Sequence, residues 1–134
     1  MNVKRLERLA KLLDQQTDSC PIKFNLASWG TYKKIEDNIC GTAACAVGLA
    51  CFNEDFNAEG LGFKNHWAGN GQIVPTFNGS NGWSAVSEFF GITKEAAAHL
   101  FHQNHYESRR VVGVSGAAMV AARIREEIKK HQEK

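Results

Sequence analysis

Residues 42–51 contain no charged side chain, and that run constrains the fold more than any other feature. A helix that is uncharged on every face has no side to offer water, so other elements must cover it. The Thr42 hydroxyl is suited to capping the amides that follow it, which predicts a helix starting near Thr42 and passing through Ala43, Cys45, Val47 and Leu49 to about Cys51. The expectation is a central helix wrapped by amphipathic neighbours.

Those neighbours are legible on both sides. Val3, Leu6, Leu9, Ala10 and Leu13 recur at three- and four-residue steps behind Asn2, which predicts a capped amphipathic helix over residues 3–14. Residues 15–21 read as a turn, and residues 23–30 as a short, aromatic, extended piece. Residues 61–63 and 73–77 flank a Gly/Asn-rich loop and are expected to pair as a small hairpin, with Pro75 confining the second run to an edge. Residues 83–90 read as a helix stopped by Gly91, a residue suited to the left-handed position. Ile92 and Thr93 supply a staple and cap for the next helix, through Ala96, Ala97, Leu100 and Phe101. Ser115 is expected to cap the last helix, in which Val120, Ile124 and Ile128 form one stripe with Arg123, Glu126, Glu127 and Lys130 outside.

The predicted fold is α+β: one mainly helical domain over residues 1–134, with about five helices and a small β-hairpin near residues 61–77. A chain of 134 residues that is 43% hydrophobic and 22% charged has apolar surface enough for one core and no more. No apolar run approaches the length of a membrane span, and residues 1–13 carry charges throughout, unlike a signal peptide. A cytoplasmic location and no membrane partner are therefore expected. The net charge of +2 is far from the basic excess of nucleic-acid binders, so no sequence-specific nucleic-acid partner is expected. The charge is uneven: residues 51–100 sum to −3 and residues 101–134 to +3.

Four features carry candidate chemistry. The helix start predicted near Thr42 would present free amides near Thr42, Ala43 and Ala44 as an anion site, where small side chains let a phosphate or carboxylate approach the backbone. Close helix packing accounts for the same small residues. Cys40, just ahead of that cap, would have its thiol pKa lowered by the helix dipole, with His66, His99, His102 and His105 as candidate bases; a structural or pocket-lining thiol is the plainer reading. Aromatic groups near loops, Trp29, Trp67, Phe77 and Trp83, offer flat faces for a base, although two or three of them belong to the core. Lastly, Arg109 and Arg110 are loop donors for a phosphate, or solvated cations.

Metal and cofactor signals are weak. Cys40, Cys45 and Cys51 are spaced by five and six residues with no C-x-x-C step, and Cys45 and Cys51 would lie about 240° apart around a helix, so no zinc site is expected. His102 and His105 can share a helix face without an evident third ligand, and His is also favoured at a helix end. No cofactor motif is present.

The run Cys40-Gly41-Thr42-Ala43-Ala44-Cys45-Ala46-Val47-Gly48-Leu49-Ala50, preceded by Phe24-Asn25-Leu26, resembles a family of small uncharacterised proteins of tailed phages, prophages and some bacteria. Residues 75–79, Gly82-Trp83, residues 89–92, Leu100-Phe101 and residues 120–124 match in the same order, with Ser115-Gly116 departing where Thr-Pro is expected. The resemblance covers about residues 3–128 and brings no catalytic or binding residues with it. It implies a phage-type setting in the host cytoplasm, where small proteins without enzymatic motifs are often antagonists of host immunity, several such families acting as anti-defence sponges that trap nucleotide second messengers; this is an analogy of setting and size.

The expected function is accordingly noncatalytic sequestration of a small anionic, nucleotide-like ligand. The expected ligand set is Trp29, Cys40, Gly41, Thr42, Ala43, Trp83, His105, Arg109 and Arg110, with no catalytic or metal residues. A cysteine enzyme centred on Cys40 and a protein-interaction inhibitor of a host factor are the alternatives, and homo-oligomerisation stays open.

Overall fold

The computed structural model describes residues 1–17, 23–25, 30–35, 38–65, 73–102, 105–106 and 112–132. Among these residues six helices and two three-stranded sheets form an α+β fold that is mostly helical. The N-terminal helix α1, Val3–Asp14, is capped as expected: Asn2 Oδ1 accepts from the Arg5 amide at 3.1 Å. It buries Leu6, Leu9, Ala10 and Leu13, the apolar positions of its periodic stripe.

The uncharged run is divided between two elements, and its part from Ala44 to Cys51 belongs to the buried core. Strands β1, Lys23–Phe24, and β2, Gly30–Ile35, flank strand β3, Asn38–Ala44, with β1 parallel and β2 antiparallel to it. Helix α2 is only Ala46–Cys51, and every one of its residues is buried. The start predicted at Thr42 is therefore corrected: Thr42 is in the strand, and Cys45 is the cap, its sulfur accepting from the Gly48 amide at 3.4 Å. The register pairs Thr31 with Ala43 and Tyr32 with Gly41, which leaves Thr42 as the extra residue of a β-bulge. Val47 and Leu49 are buried, as a central position requires.

A short helix α3, Glu54–Ala58, was not expected. Asn53 caps it through Oδ1, which accepts from the Asp55 and Phe56 amides, and Glu54 and Asp55 favour the positive end of its dipole. The expected hairpin is present as β4, Gly62–Asn65, antiparallel to β5, Ile73–Phe77, and β5 continues into a two-residue β6, Ser80–Asn81. Pro75 thus occupies the central strand of this sheet, not an edge; it pairs with Phe63, and its carbonyl accepts from the Gly82 amide at 2.9 Å.

Helix α4, Trp83–Phe90, ends at Gly91 in the left-handed region with φ 63°, and α5, Lys94–Phe101, is capped by the Thr93 hydroxyl accepting from the Ala96 amide. The last helix α6, Gly113–Gln132, starts two residues before Ser115, the expected cap. Its Val120, Ile124 and Ile128 are buried as predicted and pack it along α1, while Arg123 and Glu127 are half-buried instead of outside.

The core centres on aromatic rings. Phe89 meets Phe56, Phe77 and Phe90 edge-on, with centroids 5.8, 5.1 and 5.0 Å apart. The Arg5 guanidinium lies 4.1 Å from the Phe89 centroid, donates to the Phe89 carbonyl at 2.7 Å and pairs with Glu59, which also takes Arg8. One carboxylate from the α3 end and one carbonyl from α4 therefore hold α1 in place over the core.

Candidate functional site

The residues expected at a helix start occupy a strand. Cys40, Gly41, Thr42 and Ala43 are in β3, whose backbone runs in ladders instead of ending in free amides. The anion site built on a helix dipole at these residues, and the dipole that would lower the Cys40 thiol pKa, are both absent from this segment. The thiol at the helix start belongs to Cys45. Burial pushes it up to about 11, outweighing the backbone hydrogen bonds from Gly48, Val47 and Cys45 itself that favour the thiolate. Burial, with the neighbouring Cys45, also raises Cys51. Both are therefore buried thiols without nucleophilic character at neutral pH.

Of the remaining expected residues, Trp29, Arg109 and Arg110 lie outside the described residues, as do His66 and Trp67 among the weighed candidates. Phe77 packs edge-on against Phe89 and belongs to the core margin. Trp83 and His105 converge on one corner, where the end of α5 meets α4 and α6.

That corner is built as follows. Trp83 opens α4, is packed on the buried core along part of its surface, and stacks on the His102 ring with centroids 5.7 Å apart and planes 22° from parallel. His105 stands edge-on to both His102 and His99, at 6.2 Å from each. From α6, Glu127 places a carboxylate oxygen 3.6 Å from His99 Nε2, and Lys130 is 3.6 Å from that same oxygen. Arg123 closes the base of the corner: its guanidinium donates to the His99 carbonyl at 2.9 Å and the His105 carbonyl at 2.7 Å, and lies 3.7 Å from the Tyr106 ring centroid. The Tyr106 phenol is buried, donates to the Leu100 carbonyl at 2.6 Å and is pushed up to about 12 by burial against the opposing pull of Arg123.

Arg123 thus satisfies a carbonyl that the end of α5 leaves without an intrahelical donor, and it fixes where the chain goes afterwards. Of the expected ligand set this corner holds Trp83 and His105; His99 and His102 are expected only as candidate bases for Cys40 or, for His102, as a weak metal ligand, and Arg123 and Glu127 only as the outer face of the last helix. Arg123 and Glu127 are four apart on α6 and flank the buried stripe, the one signal that pointed to them.

A backbone bridge between Asn25 and Val112 ties the start of α6 to the end of β1, and Asn25 also donates to the Ala44 carbonyl of β3 at 2.9 Å. Arg109 and Arg110 precede Val112 in the chain by three and two residues. An open groove of about 420 Å³ lies elsewhere, between α1 and α6, with Lys11, Arg125 and Lys129 around Ile128 and with Glu7 among its walls. Among the described residues no three His, Cys, Asp or Glu side chains are arranged to hold a metal ion, and no helix is long and apolar enough to cross a membrane. Comparison with family models, with curated proteins and with solved structures finds no match to this chain.

Proposed function

We propose that this protein is a noncatalytic binding protein that sequesters a small anionic, base-containing ligand at the Trp83–His102–His105 corner. The observation that carries this reading is the half-exposed stack of Trp83 on His102, with His105 edge-on beside it. A nucleobase extends such a stack at low entropic cost, because the indole is already held by the core. The exposed His105 ring beside the stack offers a directional hydrogen-bonding group for a phosphate oxygen. In the phage-type setting that the resemblance implies, the ligand is a nucleotide signalling molecule of the host, captured in its cytoplasm. Binding without turnover is supported by the protonated state of the buried Cys45 and Cys51 thiols and by the strand, in place of a helix start, at Cys40.

The test is isothermal titration of the purified protein with a panel of mono-, di- and cyclic nucleotides, followed by chromatography of the ligand released on denaturation. The expected result is saturable binding of at least one nucleotide, recovered intact, and weakened at least about tenfold by His102→Ala together with His105→Ala, a loss of about 1.4 kcal/mol. Saturable binding that the double substitution leaves unchanged refutes this site. A nucleotide recovered altered from wild type and intact from Cys40→Ser would replace the proposal with a cysteine enzyme, and no binding across the panel would leave a protein partner.

A further inference from the structure

An Asn-Gly step occurs twice in quick succession, at Asn78-Gly79 and Asn81-Gly82, and the fold treats the two differently. Asn78 and Gly79 connect β5 to β6, where Phe77 pairs with Ser80. Both have positive φ, 51° and 83°, as a two-residue hairpin turn demands, and Asn78 is the one non-glycine residue of this kind among the described residues. Both are exposed, and apart from the chain neighbours no atom lies within 4 Å of the place a Gly79 Cβ would take. Asn81 is exposed as well, but the residue after it is held. The Gly82 amide donates to the Pro75 carbonyl at 2.9 Å, and Gly82 is the cap from which α4 starts. A third such step, Asn70-Gly71, lies outside the described residues.

We infer that Asn78 is a site of spontaneous, backbone-assisted deamidation, and that Asn81, in the same dipeptide, is protected by the hydrogen bond from Gly82 to Pro75. The Gly79 nitrogen gives up its proton and attacks Asn78 Cγ; the new C–N bond closes a cyclic imide, the bond from Cγ to Nδ2 breaks, and Nδ2 leaves as ammonia with a proton taken up. Glycine suits the step because no Cβ crowds the attacking nitrogen. Water then opens the imide. Opening at Cγ leaves aspartate, and opening at the backbone carbonyl leaves isoaspartate, with the main chain now running through the former side chain. One water is consumed and one ammonia released, with no oxidation or reduction. At Asn81 the attacking N–H is already engaged, so it has to leave Pro75 first, and that opening also frees the start of α4.

The two products differ in consequence. Aspartate tolerates the left-handed conformation and keeps the turn, whereas isoaspartate adds a main-chain carbon to a loop whose length sets the register of β5 against β6. The isoaspartate form therefore loses the Phe77–Ser80 and Thr76–Asn81 pairing and loosens the strand that leads into Gly82 and Trp83.

The test is incubation of the full-length protein in mildly alkaline buffer at physiological temperature, beside the same chain in guanidinium chloride. Peptide mapping with electron-transfer fragmentation follows both sites and separates aspartate from isoaspartate. In the folded protein Asn78 should convert at least about fivefold faster than Asn81, the factor that one net hydrogen bond supplies. In guanidinium chloride, where that bond is gone, the two should convert within about twofold of each other. The isoaspartate form, isolated by ion exchange, should melt about 4 °C below the unmodified protein. Asn78 intact in the folded protein while it converts in guanidinium chloride overturns the site. Asn81 converting as fast as Asn78 in the folded protein overturns the protection by Gly82, and an isoaspartate form that melts with the unmodified protein overturns the link to α4.

Discussion

Replacing Trp83 by alanine separates a core residue from a ligand platform, because the structure places the indole between those extremes. A Trp side chain buries roughly 200 Å² when fully enclosed. Trp83 is half-buried, packed against the apolar cluster and stacked on His102. About half of that area at about 25 cal/mol/Å² is about 2.5 kcal/mol, the expected cost of Trp83→Ala. For 134 residues at about 2.1 cal/mol/K each, the entropy of unfolding is about 0.28 kcal/mol/K, so the melting temperature should fall by about 9 °C. Trp83→Phe should restore more than half of the stability while shortening the stacking surface, so it should weaken nucleotide binding severalfold in a protein that melts near wild type. The assays are urea titration followed by circular dichroism and calorimetric titration with the nucleotide bound best by wild type. A loss of stability under about 1 kcal/mol would show that the indole is not seated on the core. A loss above about 4 kcal/mol, with binding by Trp83→Phe unchanged, would make Trp83 a core residue and refute its place in the site.

Phe89→Ala should cost more, about 3–5 kcal/mol by the same urea titration, since it empties the fully buried centre on which Phe56, Phe77, Phe90 and Arg5 converge. Arg123→Ala should destabilise by about 1.5–3 kcal/mol, because two backbone carbonyls lose a charged donor; hydrogen exchange should rise first at the end of α5. Iodoacetamide at about pH 8 should leave Cys45 and Cys51 unmodified in the folded protein and label both in denaturant, as read by peptide mapping; labelling of either in the native state would contradict the burial that raises their pKa values. Asp14 has its carboxyl held below the usual range, first by the hydrogen bond from Arg125, so its stabilisation is complete above the unfolded carboxylate pKa and lost as pH falls through the folded one. Both side chains are about half exposed, so Asp14→Asn should cost under about 1 kcal/mol near neutral pH and reduce the acid-side decline of the melting temperature.

Local signals suffice for some element ends and not for others, since α6 begins two residues before Ser115, the cap its residue type suggests. Asn2 capping α1, Thr93 capping α5 and Gly91 ending α4 all act within a few residues, and the Val120, Ile124 and Ile128 stripe needs only the helical period. α3 was missed because five residues are too short for a period to show, although Asn53 followed by Glu54 and Asp55 is a helix-start signature in its own right. The Thr42 run was divided wrongly for a different reason. Uncharged small residues satisfy a buried helix and a buried strand equally, and only pairing with residues 30–35 decides between them. The Cys45 cap was hidden too, since a thiol is a weak acceptor and Thr42 was the better cap by residue type.

The same distinction explains which part of the site was legible. Trp83, His102 and His105 announce themselves by type and by their positions near helix ends. Arg123 does not, because its partners are backbone carbonyls 18 and 24 residues away, and carbonyls have no signature in a sequence. Yet Arg123 sets the geometry. A helix end needs a donor for its last carbonyls, and ordinarily a glycine turn or water supplies it. Here His102 leaves α5 in an extended conformation, and the long guanidinium from α6 serves both the His99 and the His105 carbonyl across that break. One side chain therefore closes the helix and holds His105 beside His99, so the position of the imidazole cluster follows from how α5 is terminated.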